Sequence, residues 1–236
     1  MNRVLINVLS AVCFFAAGCT ISGNLKNPPG ANLLLAQESP TSSQLDVYIN
    51  GIKYISTLSY TSYKGYTLLP PGTYTMQVAL AGSDTVLIPS AMLTLQTGLN
   101  YSFFLVDSIN AVQGVLIPDN LNAPVGNTAK IRFMQFSPLG DSVSVDSVYF
   151  AIKDTGILSG YRYFNDQNNN PALDSFVTIP AGPHNFEVSL DSTLTNIVLN
   201  QTDTLLAGKI YTFILRGLQN YAGTPYGLQA YLLKHN

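Results

Sequence analysis

Pro70-Pro71-Gly72-Thr73-Tyr74-Thr75-Met76-Gln77-Val78 recurs as Pro180-Ala181-Gly182-Pro183-His184-Asn185-Phe186-Glu187-Val188. In the first stretch Tyr74, Met76, Val78 and Leu80 alternate with Thr75, Gln77 and Ala79. A period of two with one apolar face is the signature of a half-buried β-strand. In the second stretch His184, Phe186, Val188 and Leu190 take the matching face. The Pro-x-Gly lead-in supplies a turn before each strand.

The repetition extends outward from this pair. Leu45-Asp46-Val47-Tyr48-Ile49 returns loosely as Val145-Asp146-Ser147-Val148-Tyr149. Thr97-Gly98-Leu99-Asn100-Tyr101-Ser102-Phe103 returns as Ala207-Gly208-Lys209-Ile210-Tyr211-Thr212-Phe213, and Ser39-Pro40 as Ser137-Pro138. The early pairs have a shorter offset than the late ones, so the second copy carries an insertion, placed at Asn165–Pro171. Asn50-Gly51 between two apolar runs is a two-residue hairpin signal. Leu99–Val106 and Ile210–Leu215 are continuous apolar-aromatic runs, expected to be central strands covered on both faces. No segment has a sustained helical period. The expected fold is all-β: two tandem immunoglobulin-like β-sandwich domains, at 33–122 and 128–236, behind a tether at 19–32 and a signal at 1–18. The boundary falls near Pro118–Thr128.

Composition agrees. Of 236 residues, 47% are hydrophobic and 10% charged, with 14 Tyr, 11 Phe and no Trp. Aromatic and β-branched residues suit pleated surfaces. The formal charge of −2 offers no basic footprint for nucleic acid.

The amino terminus has its own pattern. Arg3 precedes an apolar stretch, Val4 to Ala17, that is too short to span a bilayer. It ends in Phe15-Ala16-Ala17-Gly18-Cys19, as a signal peptide ends in small residues. This resembles the lipobox of bacterial lipoproteins, with Ala16 where that family usually has Leu. By resemblance, Cys19 is the lipid attachment site, carrying a diacylglycerol and an acylated amino group. Several acyl chains anchor firmly where one gives only marginal binding. Thr20 to Asn32 then reads as a flexible tether with a reach of roughly 40 Å at ~3.3 Å per residue.

The order Ser-Pro, Leu-Asp-Val-Tyr-Ile-Asn-Gly, Pro-x-Gly-x-Tyr, Gly-x-x-Tyr resembles domain-of-unknown-function family 4397 over nearly all of Leu33–Leu233. That resemblance implies an exported bacterial protein, often with tandem copies, and no particular activity. Family members often carry His two residues before Ser-Pro; here the positions are Gln37 and Gln135.

Enzymatic constellations are hard to assemble, and the chain is expected not to be an enzyme. His184 sits on an apolar strand face, where an inward ring with one satisfied nitrogen is expected. His235 stands next to the C-terminus, where fraying is expected. Without clustered His and Cys there is no zinc set. Asp46 and Asp146 occupy related places and are expected to cap turns. The insertion offers a weak calcium candidate in Asp166, Asn168, Asn170 and Asp174, but Pro171 stands where the calcium loop needs Gly. A solvated hairpin loop is the favoured reading.

The functional expectation is a non-catalytic binding or structural module of the bacterial cell envelope, accessory to an outer-membrane assembly. Its partners would be the membrane, through the lipid, and an envelope protein or polymer. The alternative is a surface-displayed adhesin or carbohydrate-binding module, and a hydrolase is disfavoured. Thr20-Ile21-Ser22-Gly23-Asn24-Leu25-Lys26 carries no acid after Cys19. By analogy with other lipoproteins, this favours an outer-membrane anchor with a periplasm-facing body.

Overall fold

The computed structural model describes residues 29–138 and 147–236. Cys19, the signal, most of the tether and Asp146 lie outside them. Among the described residues the protein is all-β, with only short 3-10 turns besides strands.

The first half contributes β1 (Ala31–Gln37), β2 (Leu45–Ile49), β3 (Ile52–Leu58), β4 (Tyr63–Leu69), β5 (Gly72–Leu80), β6 (Val86–Leu95), β7 (Asn100–Val106) and β8 (Gln113–Asp119). They form two sheets, in the orders β4-β1-β7-β8 and β3-β2-β5-β6. The second half contributes β9 (Thr128–Gln135), β10 (Ser147–Ile152), β11 (Ile157–Leu158), β12 (Arg162–Tyr163), β13 (Val177–Pro180), β14 (Gly182–Ser189), β15 (Ile197–Leu205), β16 (Ile210–Arg216) and β17 (Gln229–Lys234). Their orders are β13-β9-β16-β17 and β11-β10-β14-β15, with β12 joining β10. In each half one pair is parallel, β1 with β7 and β9 with β16.

Local chemistry explains the turns. Asn50 and Gly51 have φ of 49° and 76° between β2 and β3, the geometry of a type I′ hairpin turn. Gly72 and Gly182, the glycines of the Pro-x-Gly lead-ins, have φ of 154° and 144°. Side chains rarely tolerate that region, which is why glycine stands at both.

Two cores fill the halves. Leu33, Leu35, Val47, Met76, Val78 and Phe103 lie in the first. Phe133, Phe150, Phe186, Val188 and Phe213 lie in the second, where Phe133 and Phe150 stack at 4.5 Å between centroids. The expected inward residues of β5 and β14 are therefore inward. On β14, however, Glu187 and Ser189 are buried as well, so the second half of that strand is covered on both faces.

A third core joins the halves. Leu34 and Ala36 of β1, Phe104 and Val106 of β7, and Val115 and Ile117 of β8 pack on Met134 and Phe136, Ile214 of β16 and Leu233 of β17. Phe104 and Phe136 meet across this seam at 5.0 Å. Strand alternation is the cause: on β7, Phe103 and Leu105 face their own half while Phe104 and Val106 face the other. The four sheets thus stack in series. β7 and β16 are central strands covered on both faces, and the cover on one face is the other half of the molecule.

Candidate functional site

The chemistry-bearing residues gather in the seam, at its two ends. Near the starts of β7, β9 and β16, Arg132 pairs with Asp119 at 2.5 Å, and both side chains are fully buried. The second oxygen of Asp119 accepts from the hydroxyls of Ser102 at 2.7 Å and Tyr66 at 2.6 Å. Arg132 Nε donates to Thr212 Oγ1 at 2.9 Å. His235 lies between, with Nδ1 2.7 Å from the Tyr66 hydroxyl and Nε2 2.7 Å from Thr212 Oγ1.

The donor directions close into a ring. Thr212 accepts from Arg132, so its own hydrogen goes to His235 Nε2. Tyr66 donates to Asp119, so it accepts from His235 Nδ1–H. Only the neutral imidazole with hydrogen on Nδ1 fits both partners. Burial also pushes His235 down to about 4, with the Asp119 charge opposing and the Arg132 charge assisting. Burial, then the Asp119 carboxylate, pushes the Tyr66 phenol far up. The expectation of a frayed His235 is corrected: it is buried, and its backbone N–H donates to Ile210 O at 2.9 Å. Sequence distance concealed this, because Tyr66 and His235 meet only once the two halves dock.

At the other end, Arg216 of β16 pairs with Glu38, which follows β1, at 2.6 Å. The guanidinium lies against Tyr231 at 4.8 Å and Tyr60 at 5.6 Å. Burial raises Glu38 and outweighs the lowering by Arg216. Nothing in the sequence pattern marked Asp119, Arg132, Glu38 or Arg216. Their signal was available as charges placed on the seam-facing phase of otherwise apolar strands.

The residues singled out from the sequence are scattered. Gln37 and Gln135 close their strand ends: each Oε1 accepts from the backbone N–H of the serine two residues on, at 2.7 and 2.8 Å. Asp46 accepts from Lys53 at 2.6 Å and from the Thr57 N–H at 2.9 Å, a turn-holding role. These hydrogen bonds keep its carboxyl below the usual range. His184 has both nitrogens engaged, Nδ1 with Asp154 at 2.5 Å and Nε2 with Pro180 O at 2.9 Å, where one was expected.

The insertion is not the expected solvated hairpin. It forms 3-10 turns at Asp166–Asn168 and Pro171–Asp174, with Asn165 and Gln167 buried. Arg162 holds both oxygens of Asp166, at 2.8 and 2.9 Å. Asn170 Oδ1 accepts from the Ala172 N–H at 3.3 Å, and Arg132 donates to the Asp174 carbonyl at 3.3 Å. A cation would have to displace the Arg162 guanidinium from Asp166. Calcium is therefore expected to leave the melting temperature unchanged, although a ligand at 100 times its dissociation constant would add ~2.7 kcal/mol. A rise that Asp166→Ala abolishes would establish a calcium site.

Residues 31–146 match the family described as domain of unknown function DUF4397. The second half from residue 147 lies beyond that match. No curated protein matches the chain. Among solved structures, the Bacillus anthracis TIE protein aligns at 10% identity over 80% of this chain and 34% of that one, with a TM-score of 0.25. The chain thus spans about a third of that protein's length.

Proposed function

From a chain that carries a DUF4397-like domain, we propose a lipid-anchored, non-catalytic binding or structural module of the bacterial cell envelope, accessory to an outer-membrane assembly. The observation that carries this reading is the seam. Asp119, Arg132, Glu38 and Arg216 are spent on each other, buried between sheets, where they hold two halves in one fixed relation. A body of that kind presents surfaces at a constant spacing. Cys19 supplies the membrane attachment, and the residues between it and β1 supply the reach.

A second reading, a surface-displayed carbohydrate-binding or adhesive module, draws on the exposed rings of Tyr161 and Tyr163, whose centroids lie 6.3 Å apart. Protease treatment of intact cells separates the two. Protection until the outer membrane is permeabilised supports the accessory role, and digestion on intact cells supports display.

The anchor has its own test. Cells producing the wild type are expected to incorporate labelled palmitate into the mature protein, and Cys19→Ala is expected to remain uncleaved and unlabelled. Equal labelling of the two would refute the assignment.

A further inference from the structure

Beyond the Glu38–Arg216 end of the seam, the loops that follow β7 and β16 face each other across a cleft of about 760 Å³. This lies within the ~300–1,000 Å³ typical of small-molecule sites, which favour domain interfaces. Asp107, Ser108 and Asn110 line it from the first half, and Gln219, Asn220 and Tyr221 from the second.

Both walls are held rigidly. Asp107 has φ of 73°, and its carboxylate accepts from the Ser108 N–H at 2.6 Å and Gln113 Nε2 at 3.1 Å. Gln113 Oε1 in turn accepts from Asn165 Nδ2 at 3.2 Å, and the Asn165 N–H donates to Gln135 O at 2.8 Å. The asparagine-rich insertion therefore ties the first-half wall to the second half. On the other side Gly217 has φ of 87°, and a Cβ there would lie 2.1 Å from the Gly227 oxygen. Backbone bonds from Leu218 to Tyr226, Tyr221 to Leu218 and Thr224 to Tyr221 fix the loop beyond it.

The lining pairs the amides of Asn110 and Gln219 and the Ser108 hydroxyl with one carboxylate, one half-exposed phenol ring and the apolar Pro138 and Leu218. Among the described residues that line it, none carries a positive charge to hold an anion. The carboxylate already accepts two hydrogen bonds, which weakens it as a site for a free cation. A pyranose matches such a surface: its hydroxyls both donate and accept, and its C–H face lies on an aromatic ring.

We propose that this cleft binds a neutral oligosaccharide. The inference deepens the non-catalytic binding reading by naming a ligand class, and it rests on that reading only for the absence of turnover. Calorimetric titration of the full chain in detergent with triacetylchitotriose and with cellotriose tests it. Saturable binding of at least one is expected, weakened about tenfold, or ~1.4 kcal/mol, by Gln219→Ala and by Tyr221→Ala. Met92→Ala, on the exposed face of β6, is expected to bind as the wild type does. Thermal melting checks each variant, and Asn110→Ala replaces any that fails to fold. No binding at millimolar sugar, loss in Met92→Ala, or wild-type affinity in the folded cleft variants would overturn the proposal. Recovery of the sugar in cleaved form would overturn the non-catalytic reading alone.

Discussion

Arg132→Met is expected to cost about 3–5 kcal/mol of stability, the range for removing one partner of a buried ion pair. The substitution leaves the Asp119 carboxylate fully buried beside Ser102 and Tyr66, with no compensating charge. It also removes the donor to Thr212 that sets the direction of the hydrogen-bond ring. Chemical denaturation measures the loss. Because the pair spans the seam, the effect should also change cooperativity. The wild type is expected to unfold in one transition, since neither half can expose Phe104 or Phe136 without the other. The variant is expected to broaden or split into two. Arg132→Met combined with Asp119→Leu should recover more than half of the loss, because an apolar replacement of a buried pair is often neutral. A single-variant loss below about 1 kcal/mol, the scale of an exposed pair, would show that the seam opens to water.

Acid is expected to weaken the molecule through His235. Its folded value of about 4 lies below the ordinary 6.5, so between those values the unfolded chain binds more protons than the folded one. Stability therefore rises with pH across this window and is lost as pH falls from 6.5 toward 4. At ~1.4 kcal/mol per unit the loss is roughly 3 kcal/mol. The groups facing the ring are Tyr66 from β4, Thr212 from β16, Phe176, and the Asp119–Arg132 pair beyond them. Glu38 acts in the opposite sense, because burial raises it and the folded state holds its proton more tightly. The wild-type profile alone mixes these two with the shifted carboxylates of Asp46, Asp154, Asp174 and Asp191. His235→Gln keeps a hydrogen-bonding side chain without a proton to gain, so the difference between variant and wild type isolates the histidine. Melting measured from pH 7 to pH 4 should fall less steeply in the variant. Identical slopes would place His235 in contact with solvent.

Much of the fold was legible along the chain. The alternation in Tyr74–Leu80, the Asn50-Gly51 turn and the continuous runs at Leu99–Val106 and Ile210–Leu215 each specify a local geometry. Each is realised, as β5, the β2–β3 hairpin, β7 and β16. Local steric and hydrophobic rules govern these features, and neighbouring residues carry the whole signal. The Asn165–Pro171 insertion was misread for the complementary reason. Its polarity suggested solvent, but Asn165 is buried against Gln113 from the other half. A polar side chain with a remote partner has the same sequence appearance as an exposed one.

The sequence by itself determined that this is a β protein with an internally repeated strand pattern and little net charge. Periodicity and composition are properties of contiguous residues. Only the tertiary structure decided what the second face of β1, β7, β9 and β16 touches. An apolar run says that a strand is covered but not by what. The seam, its hydrogen-bond ring around His235 and the cleft between Asp107 and Tyr221 arise from docking two sheets whose contacts lie up to 178 positions apart in sequence. Pairing at that distance depends on shape and charge complementarity between whole faces, which no local stretch encodes.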